Sequence, residues 1–414
     1  MIAKFKFDSF FLLYLTLYIS MLVGFFFNEN STGGAILDYQ NQKIAAIDFA
    51  NNFFLTFLNY ENYNTRHSPV LIILLSFFEK FNVNDLTIRF LHLHFSLILP
   101  FLFFLILKEK FNLKKNEIFY VIVGIIFLSP TYRSLSIWPD SRLIGLIFFC
   151  ISIIFYLKFV NKKKKIFCIL NILFYALSAY LSPNFSVYSI FFFYKFFLFY
   201  KKDLGFLVLI ILINLLLAFP AFYYIFILDV NFINKSAAVG FAKNNILFSN
   251  VFNNILLIAS IFLFYLIPFI QTKIISLSKF KFDFSILLFL SIMIISIYSF
   301  DYNYLYTGGG IFFKINYFLF KNNILFFVIS SISLFVVYLT CIDSKSNLLI
   351  FLCLLISTPQ ETIYHKYFDP LLIILIFSLL NFKVNILKIS LKNHLYLYFY
   401  FTIFLFISLL KIYV

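Results

Sequence analysis

The chain has 414 residues, of which 63% are hydrophobic and 12% charged, far from the roughly 45–50% apolar and 25% charged usage of soluble domains. A water-soluble fold is excluded. The net charge of +16 would suggest nucleic acid in a soluble chain, but here the lysines fall in short clusters between apolar runs, the positive-inside pattern of membrane proteins, so no nucleic-acid partner is expected.

Lys4 and Lys6 precede an apolar run from Ser9 to Phe27. No small-residue cleavage site follows it and many apolar runs do, so it reads as a retained signal anchor. A crossing needs about 20 apolar residues, and the runs fall at 9–27, 86–107, 118–132, 141–160, 166–182, 185–200, 204–228, 251–270, 284–300, 323–341, 347–359, 370–382 and 394–412. The expected fold class is all-α, a polytopic transmembrane helical bundle of about 11–13 spans. The spans are almost free of internal charge, with Lys195 the main exception. Cys150, Cys168, Cys341 and Cys353 lie singly in apolar segments and argue for neither a disulfide framework nor a metal site.

Lys108, Lys110, Lys114 and Lys115, Lys162 to Lys165, Lys201 and Lys202, Lys273, Lys279 and Lys281, and Lys383, Lys388 and Lys392 should all face the cytoplasm. With the N-terminus inside, this holds only if the apolar stretch 69–81 does not cross. That stretch is short and carries Glu79 and Lys80, so a juxtamembrane helix at the outer interface is expected there. The C-terminus then lies outside.

The outer loops hold Glu29, Asp38, Asp48, Glu61, Asp140, Asp229, Asp301, Glu361 and Asp369. Acidic residues contribute little to topology, so their collection opposite the lysines points to chemistry on the outside. In the largest loop, 28–68, Ile44, Ile47, Phe54 and Leu58 recur at helical spacing opposite Asp48 and Asn52, the pattern of a helix lying in the interface plane. Gly308-Gly309-Gly310 reads as a turn rather than a phosphate cradle. The expected organisation is a membrane module over 1–228, including the outer loop 28–85, followed by C-terminal membrane helices over 229–414.

Asp38, about ten residues after the first span in a run apolar enough to press on the bilayer, is the candidate to take a proton from an acceptor hydroxyl. Arg66-His67-Ser68-Pro69 sets two cationic groups beside a proline that starts a helix, a place suited to an anion. A second aspartate stands in Trp138-Pro139-Asp140-Ser141, and His365-Lys366-Tyr367-Phe368-Asp369-Pro370 adds a basic group on the same side. Each also has a structural reading: the prolines break helices, and Arg66 and Lys366 snorkel to head groups.

Together, Asp38, His67-Ser68-Pro69, Arg89, Ser129-Pro130, Pro139-Asp140 and Lys366-Tyr367 resemble the motifs of the GT-C superfamily. The resemblance is nearer to the branch with protein O-mannosyltransferases, the aminoarabinose transferase of lipid A and lipopolysaccharide galacturonosyltransferase-like proteins, and it covers mainly residues 1–200. It implies a polyprenyl-phosphate sugar donor, a lipid, glycan or protein acceptor, membrane lipids as partners, and inverting transfer at the outer surface of a bacterial inner (plasma) membrane, facing the periplasm. The resemblance implies Asp38 as the base; the full candidate site adds Asp140 as a second catalytic carboxylate, Arg66, His67 and Lys366 to hold the donor phosphate, and Tyr39, Glu61, Arg89 and Tyr367 in support. The chain departs from the pattern at Tyr39, where many relatives carry an acidic residue, at Ser68 in place of a second proline, and at Lys366 in place of arginine. No cofactor is certain and a divalent metal is left open. The alternatives are a polysaccharide polymerase, which should carry arginines in its central outer loops where 229–250 and 301–322 have none, a lipid-linked-sugar flippase or transporter, with ionisable groups deep in its spans, and a structural membrane protein.

Overall fold

A computed structural model describes residues 7–63, 68–112, 117–227, 250–277, 284–304, 308–342, 344–360, 362–385 and 390–410. Of the described residues 81% are helical, and the sheet among them is one antiparallel pair, β1 (Ile275–Ser276) with β2 (Lys383–Val384). The chain divides into two compact units, Met1–Ala237 with Tyr398–Val414, and Ala238–Leu397.

The first unit contains α1 (Phe7–Phe26), α2 (Ala35–Asn51), α3 (Phe53–Leu58), α4 (Val70–Lys80), α5 (Asp85–Ser96), α6 (Ile98–Phe111), α7 (Glu117–Gly124), α8 (Pro130–Ile137), α9 (Ser141–Lys162), α10 (Lys165–Leu181), α11 (Ser189–Tyr200) and α12 (Leu204–Phe222). Helix α9 packs along α10 and α6, α2 along α4, and α5 against α8. The second unit contains α13 (Val251–Gln271), α14 (Ser285–Tyr298), α15 (Gly310–Phe320), α16 (Ile324–Cys341), α17 (Lys345–Ile356) and α18 (Leu371–Phe377), and α19 (Leu391–Leu410) begins there. Helix α13 is buried along most of its length and packs against α14, α15, α16, α17 and α18.

Among the described residues six helices are long and apolar enough to cross a membrane: Asp85–Phe111, which joins α5 and α6, Ser141–Lys162, Leu204–Ile227, Val251–Gln271, Ile324–Cys341 and Leu391–Leu410. A seventh results if Glu117–Leu128 and Pro130–Ile137, bent by 65°, count as one span. Against the expected 11–13 spans, six or seven helices of this length are found among the described residues, because several apolar runs are cut short. The run 118–132 breaks where Pro130 forces Ser129 into extended backbone (ψ 118°), since the residue before proline is driven out of the helical region. Ser129 then caps the new helix, accepting from Tyr132 N at 2.9 Å. The run 185–200 gives a 12-residue α11 after a 3-10 turn at Pro183–Tyr188, and 370–382 gives a helix of only 7 residues.

The juxtamembrane expectation for 69–81 meets an 11-residue helix, α4, roughly 16 Å long at about 1.5 Å per residue and too short to span. The single helix expected across 44–58 is two, because Asn52 leaves helical geometry and its side chain accepts from Leu55 N at 3.2 Å to start α3. Ala35, Tyr39, Gln42, Ala46 and Phe49 form the inward stripe of α2, while Leu37, Ile44 and Ile47 are exposed.

The lysine clusters gather. In the first unit Asn161 Nδ2 donates to Glu109 O at 3.0 Å and Lys165 Nζ pairs with Asp203 Oδ2 at 2.7 Å, which joins the ends of α6, α9, α10 and α12. In the second unit the pairing of β1 with β2 sets Lys383 opposite Ser276, three residues after Lys273. Gly308, Gly309 and Gly310 form the expected turn, with φ of 126°, 83° and 76°. Gly308 lies so close to the 362–365 segment that a Cβ would come 2.5 Å from Ile363 O, and α15 starts directly from this turn.

Candidate functional site

The most polar buried segment of the first unit is α8. All eight of its residues are buried, although the sequence Pro-Thr-Tyr-Arg-Ser-Leu-Ser-Ile offers few apolar groups. Its polar atoms are met by partners on other elements, as burial requires. Arg133 Nε and Nη2 donate to Glu29 Oε1 and Oε2 at 2.8 and 2.6 Å, while Nη1 and Nη2 reach Ser20 Oγ and Ser20 O, each at 2.9 Å. His92 Nε2 on α5 donates to Leu135 O at 2.9 Å. These bonds fix the end of α8, from which Trp138, Pro139 and Asp140 lead into α9.

Asp140 is the N-cap of α9. Its Oδ1 accepts from Arg142 N at 2.7 Å and from Arg142 Nε at 2.9 Å, and its Oδ2 accepts from Arg142 Nη2 at 2.7 Å. A carboxylate at a helix start is stabilised by the exposed N–H groups and the helix dipole, and this one also grips a guanidinium through both oxygens. The same Nη2 donates to Asp38 Oδ2 on α2 at 2.9 Å. Asp38 and Asp140, far apart in sequence, thus share Arg142. Side-chain exposure separates their roles: 3% for Asp140, 13% for Arg142 and 40% for Asp38. Of the two carboxylates that Arg142 holds, Asp38 is the accessible one.

Tyr39, the neighbour of Asp38, points inward. Its hydroxyl donates to Asp85 Oδ1 at 2.5 Å, and Lys43 Nζ, one turn further along α2, donates to the same oxygen at 2.9 Å. Burial, then the hydrogen bond to Asp85 and its charge, push the Tyr39 phenol well above its ordinary range, so it stays a proton donor to Asp85. The Tyr39 ring lies 6.0 Å from that of Trp138. Trp138, the single tryptophan of the chain, donates from Nε1 to Glu29 O at 3.0 Å.

Arg89 is 6% exposed. Its guanidinium carbon stands 3.5 Å from the centre of the Trp138 ring and 5.2 Å from that of Phe25, and Nε donates to Ile137 O at 3.3 Å. Arg89 is held between two aromatic faces and fixes Trp138, which is worth of order 2 kcal/mol for a desolvated cation–π contact.

Of the residues expected from sequence, Asp38, Tyr39, Arg89 and Asp140 come together. Glu61 does not join them: it lies exposed on the 3-10 turn Tyr60–Tyr63, whose Tyr63 hydroxyl donates to Asp48 Oδ2 at 2.7 Å, ten residues or roughly 15 Å along α2 from Asp38. Arg66 and His67 lie outside the described residues. Lys366 and Tyr367 belong to the second unit, where Lys366 Nζ stands 5.4 Å from the Tyr364 ring centre. The residue before Lys366, His365, bonds the Tyr265 hydroxyl at 2.9 Å through Nε2. Arg142, Asp85, Lys43 and Trp138 are site residues that sequence reasoning missed. Arg142 sat inside a run read as a plain span, and the spacing Asp-x-Arg at a helix start was the feature that marks it.

Among the described residues no three His, Cys, Asp or Glu side chains are placed to hold a metal ion. Arg142 fills the position between Asp38 and Asp140 that a divalent cation would need, so these residues do not fit one. No family model, curated protein or solved structure matches the chain.

Proposed function

We propose that the protein is a membrane glycosyltransferase of GT-C type, which moves a sugar from a polyprenyl-phosphate donor to a lipid, glycan or protein acceptor at the outer bilayer surface. The observation that carries this reading is the pairing of half-exposed Asp38 with Arg142, itself gripped by buried Asp140. A carboxylate kept accessible and aimed by a buried partner is what a general base needs.

The position along the membrane normal supports the same reading. Helix α9 begins at the site and ends in the lysine cluster, and its 22 residues at about 1.5 Å each make roughly 33 Å, close to the ~30 Å of a bilayer's hydrocarbon core. With the lysine end cytoplasmic, the site lies at the outer boundary of the bacterial inner membrane, where a lipid-linked sugar presents its head group.

In the proposed step the acceptor oxygen attacks the anomeric carbon from the face opposite the phosphate and gives its proton to Asp38. The bond from that carbon to the phosphate oxygen breaks, and polyprenyl phosphate leaves with the electron pair. Arg142 aims Asp38, Asp140 holds Arg142, and Arg89 and Trp138 form the wall beside them. Arg66 and His67 are assigned to the donor phosphate, whose charge needs cationic partners.

The test is release of polyprenyl phosphate by proteoliposomes supplied with synthetic polyprenyl-phosphoryl mannose, aminoarabinose or galacturonic acid and an envelope lipid extract as acceptor. Acceptor-dependent release from one donor, lost in Asp38→Asn, is the expected result. Release that Asp38→Asn leaves intact ends the assignment.

A further inference from the structure

We infer that Asp85 is a positioning residue for the proposed transfer: it fixes the rotation of α2 about its own axis and so aims Asp38. The inference rests on Asp38 being the base. Asp85 touches neither Asp38 nor Arg142 by any contact described above. Its Oδ1 instead takes the Tyr39 hydroxyl at 2.5 Å and Lys43 Nζ at 2.9 Å, two groups one turn apart on α2.

On a helix of 3.6 residues per turn, Tyr39 lies about 100° and Lys43 about 140° around the axis from Asp38. The bond from Arg142 to Asp38 is one directional tether near the site, and the packing of α2 along α4 adds non-directional apolar contact. The bonds to Asp85 form a second tether on another side, and the pair fixes the roll. Side-chain ends stand about 5–6 Å from the axis, so a roll of about 10° moves the Asp38 carboxylate about 1 Å. Misplacing a reacting group by about 1 Å can cost about 100-fold in rate.

Elsewhere on α2 the bond from the Tyr63 hydroxyl to Asp48 Oδ2 lies ten residues beyond Asp38, and buried Gln42 and Phe49 add packing. Ala35, Ala45 and Ala46 pack as small side chains on its inward side, and its outward side carries exposed Leu37, Ile44 and Ile47. Lys43 has a further carboxylate in Glu79 Oε1 at 3.9 Å, a longer contact that leaves Asp85 as the close partner.

The experiment measures kcat and donor KM for Asp85→Ala, Asp85→Glu, Tyr39→Phe and the double variant, in proteoliposomes, with the same three synthetic donors. Asp85→Ala should lower kcat about 10–100-fold with KM within about twofold, because aim is lost while ground-state binding is kept. Asp85→Glu should recover part of the loss. Tyr39→Phe keeps the ring against Trp138 and loses only the hydroxyl, so kcat should fall less, about 3–10-fold, and the double variant should be little worse than Asp85→Ala, as coupled sites require. If Asp85→Ala does not fold, Tyr39→Phe decides alone. Wild-type kcat in the folded Asp85 and Tyr39 variants, or a change confined to KM, overturns the inference while Asp38→Asn is still inactive. Wild-type turnover by Asp38→Asn overturns the base assignment itself, and the positioning role with it.

Discussion

Arg142 Nη2 stands 2.9 Å from Asp38 Oδ2, across 104 residues of chain. The contact joins the start of a 22-residue membrane-length helix to a 17-residue helix outside any candidate span. Because Asp140 takes the other side of the guanidinium, Arg142 cannot swing toward solvent without stripping a 3%-exposed carboxylate of its partner. Taking the guanidinium from a buried carboxylate is costly, so Asp38 faces a fixed positive group.

Asp38→Asn keeps the shape of the side chain and loses the ability to take a proton. The variant should insert and purify normally and still bind a polyprenyl-phosphoryl sugar, followed through the fluorescence of Trp138, the one tryptophan. Transfer should fall at least about 100-fold.

Arg142→Lys keeps the charge but not the fork that reaches two carboxylates, and lysine is a poor replacement at such a site. Turnover should drop by at least about tenfold. Arg142→Ala takes the guanidinium from the buried Asp140 carboxylate and should lower stability by about 3 kcal/mol, whereas Asp140→Asn, which can still cap α9, should cost less. Thermal melts in detergent separate the three, and equal Tm values for Arg142→Ala and wild type would contradict this account of the pair.

Glu29 and Arg133 are about 5% and 6% exposed at the side chain and lie 2.6 Å apart. Glu29→Gln should destabilise the protein by about 3–5 kcal/mol, the cost of leaving a buried charge without its partner. Since Glu29 O also receives Trp138 Nε1, the indole emission should shift in the same variant. A melt and an emission spectrum both unchanged would remove the anchoring role of this pair.

Single cysteines near Asp38 and Asp140 should react with an impermeant thiol reagent from outside intact cells, and one near Lys163 only after the membrane is opened. The roughly 33 Å length of α9 requires opposite sides for its two ends if it crosses. Labelling of Asp140 and Lys163 neighbours from one side would rule out that crossing.

The Tyr63 phenol is pushed up to about 12 by burial and then by its hydrogen bond to Asp48. Its folded value lies above the ordinary phenol value of about 10, so the contact stabilises the turn below pH about 10 and is lost as pH rises through about 12. Hydrogen exchange over residues 53–63 should quicken in that window, and Tyr63→Phe should abolish the step.

Composition and periodicity were enough to make the protein an all-helical membrane-type chain, because apolar length and lysine spacing act locally. They also gave α4 as a helix too short to cross, and they marked Asp38 and Asp140, each displayed beside a helix end. What they could not supply was any relation between distant segments. The break at Ser129-Pro130 turned an apparent span into a buried polar helix, since a proline's effect on its neighbour is local but the 65° direction it takes is set by Glu29, Ser20 and His92 on other elements. Arg142 lies within the apolar run 141–160 and is the shared partner of two aspartates. Asp85 and Lys43, 42 residues apart, carry no mark of their pairing in the sequence and meet on one side of α2. Hydrophobic pattern is written in neighbouring residues, whereas the pairing of charges depends on which helix ends the packing brings within 3 Å, and only the tertiary structure decides that.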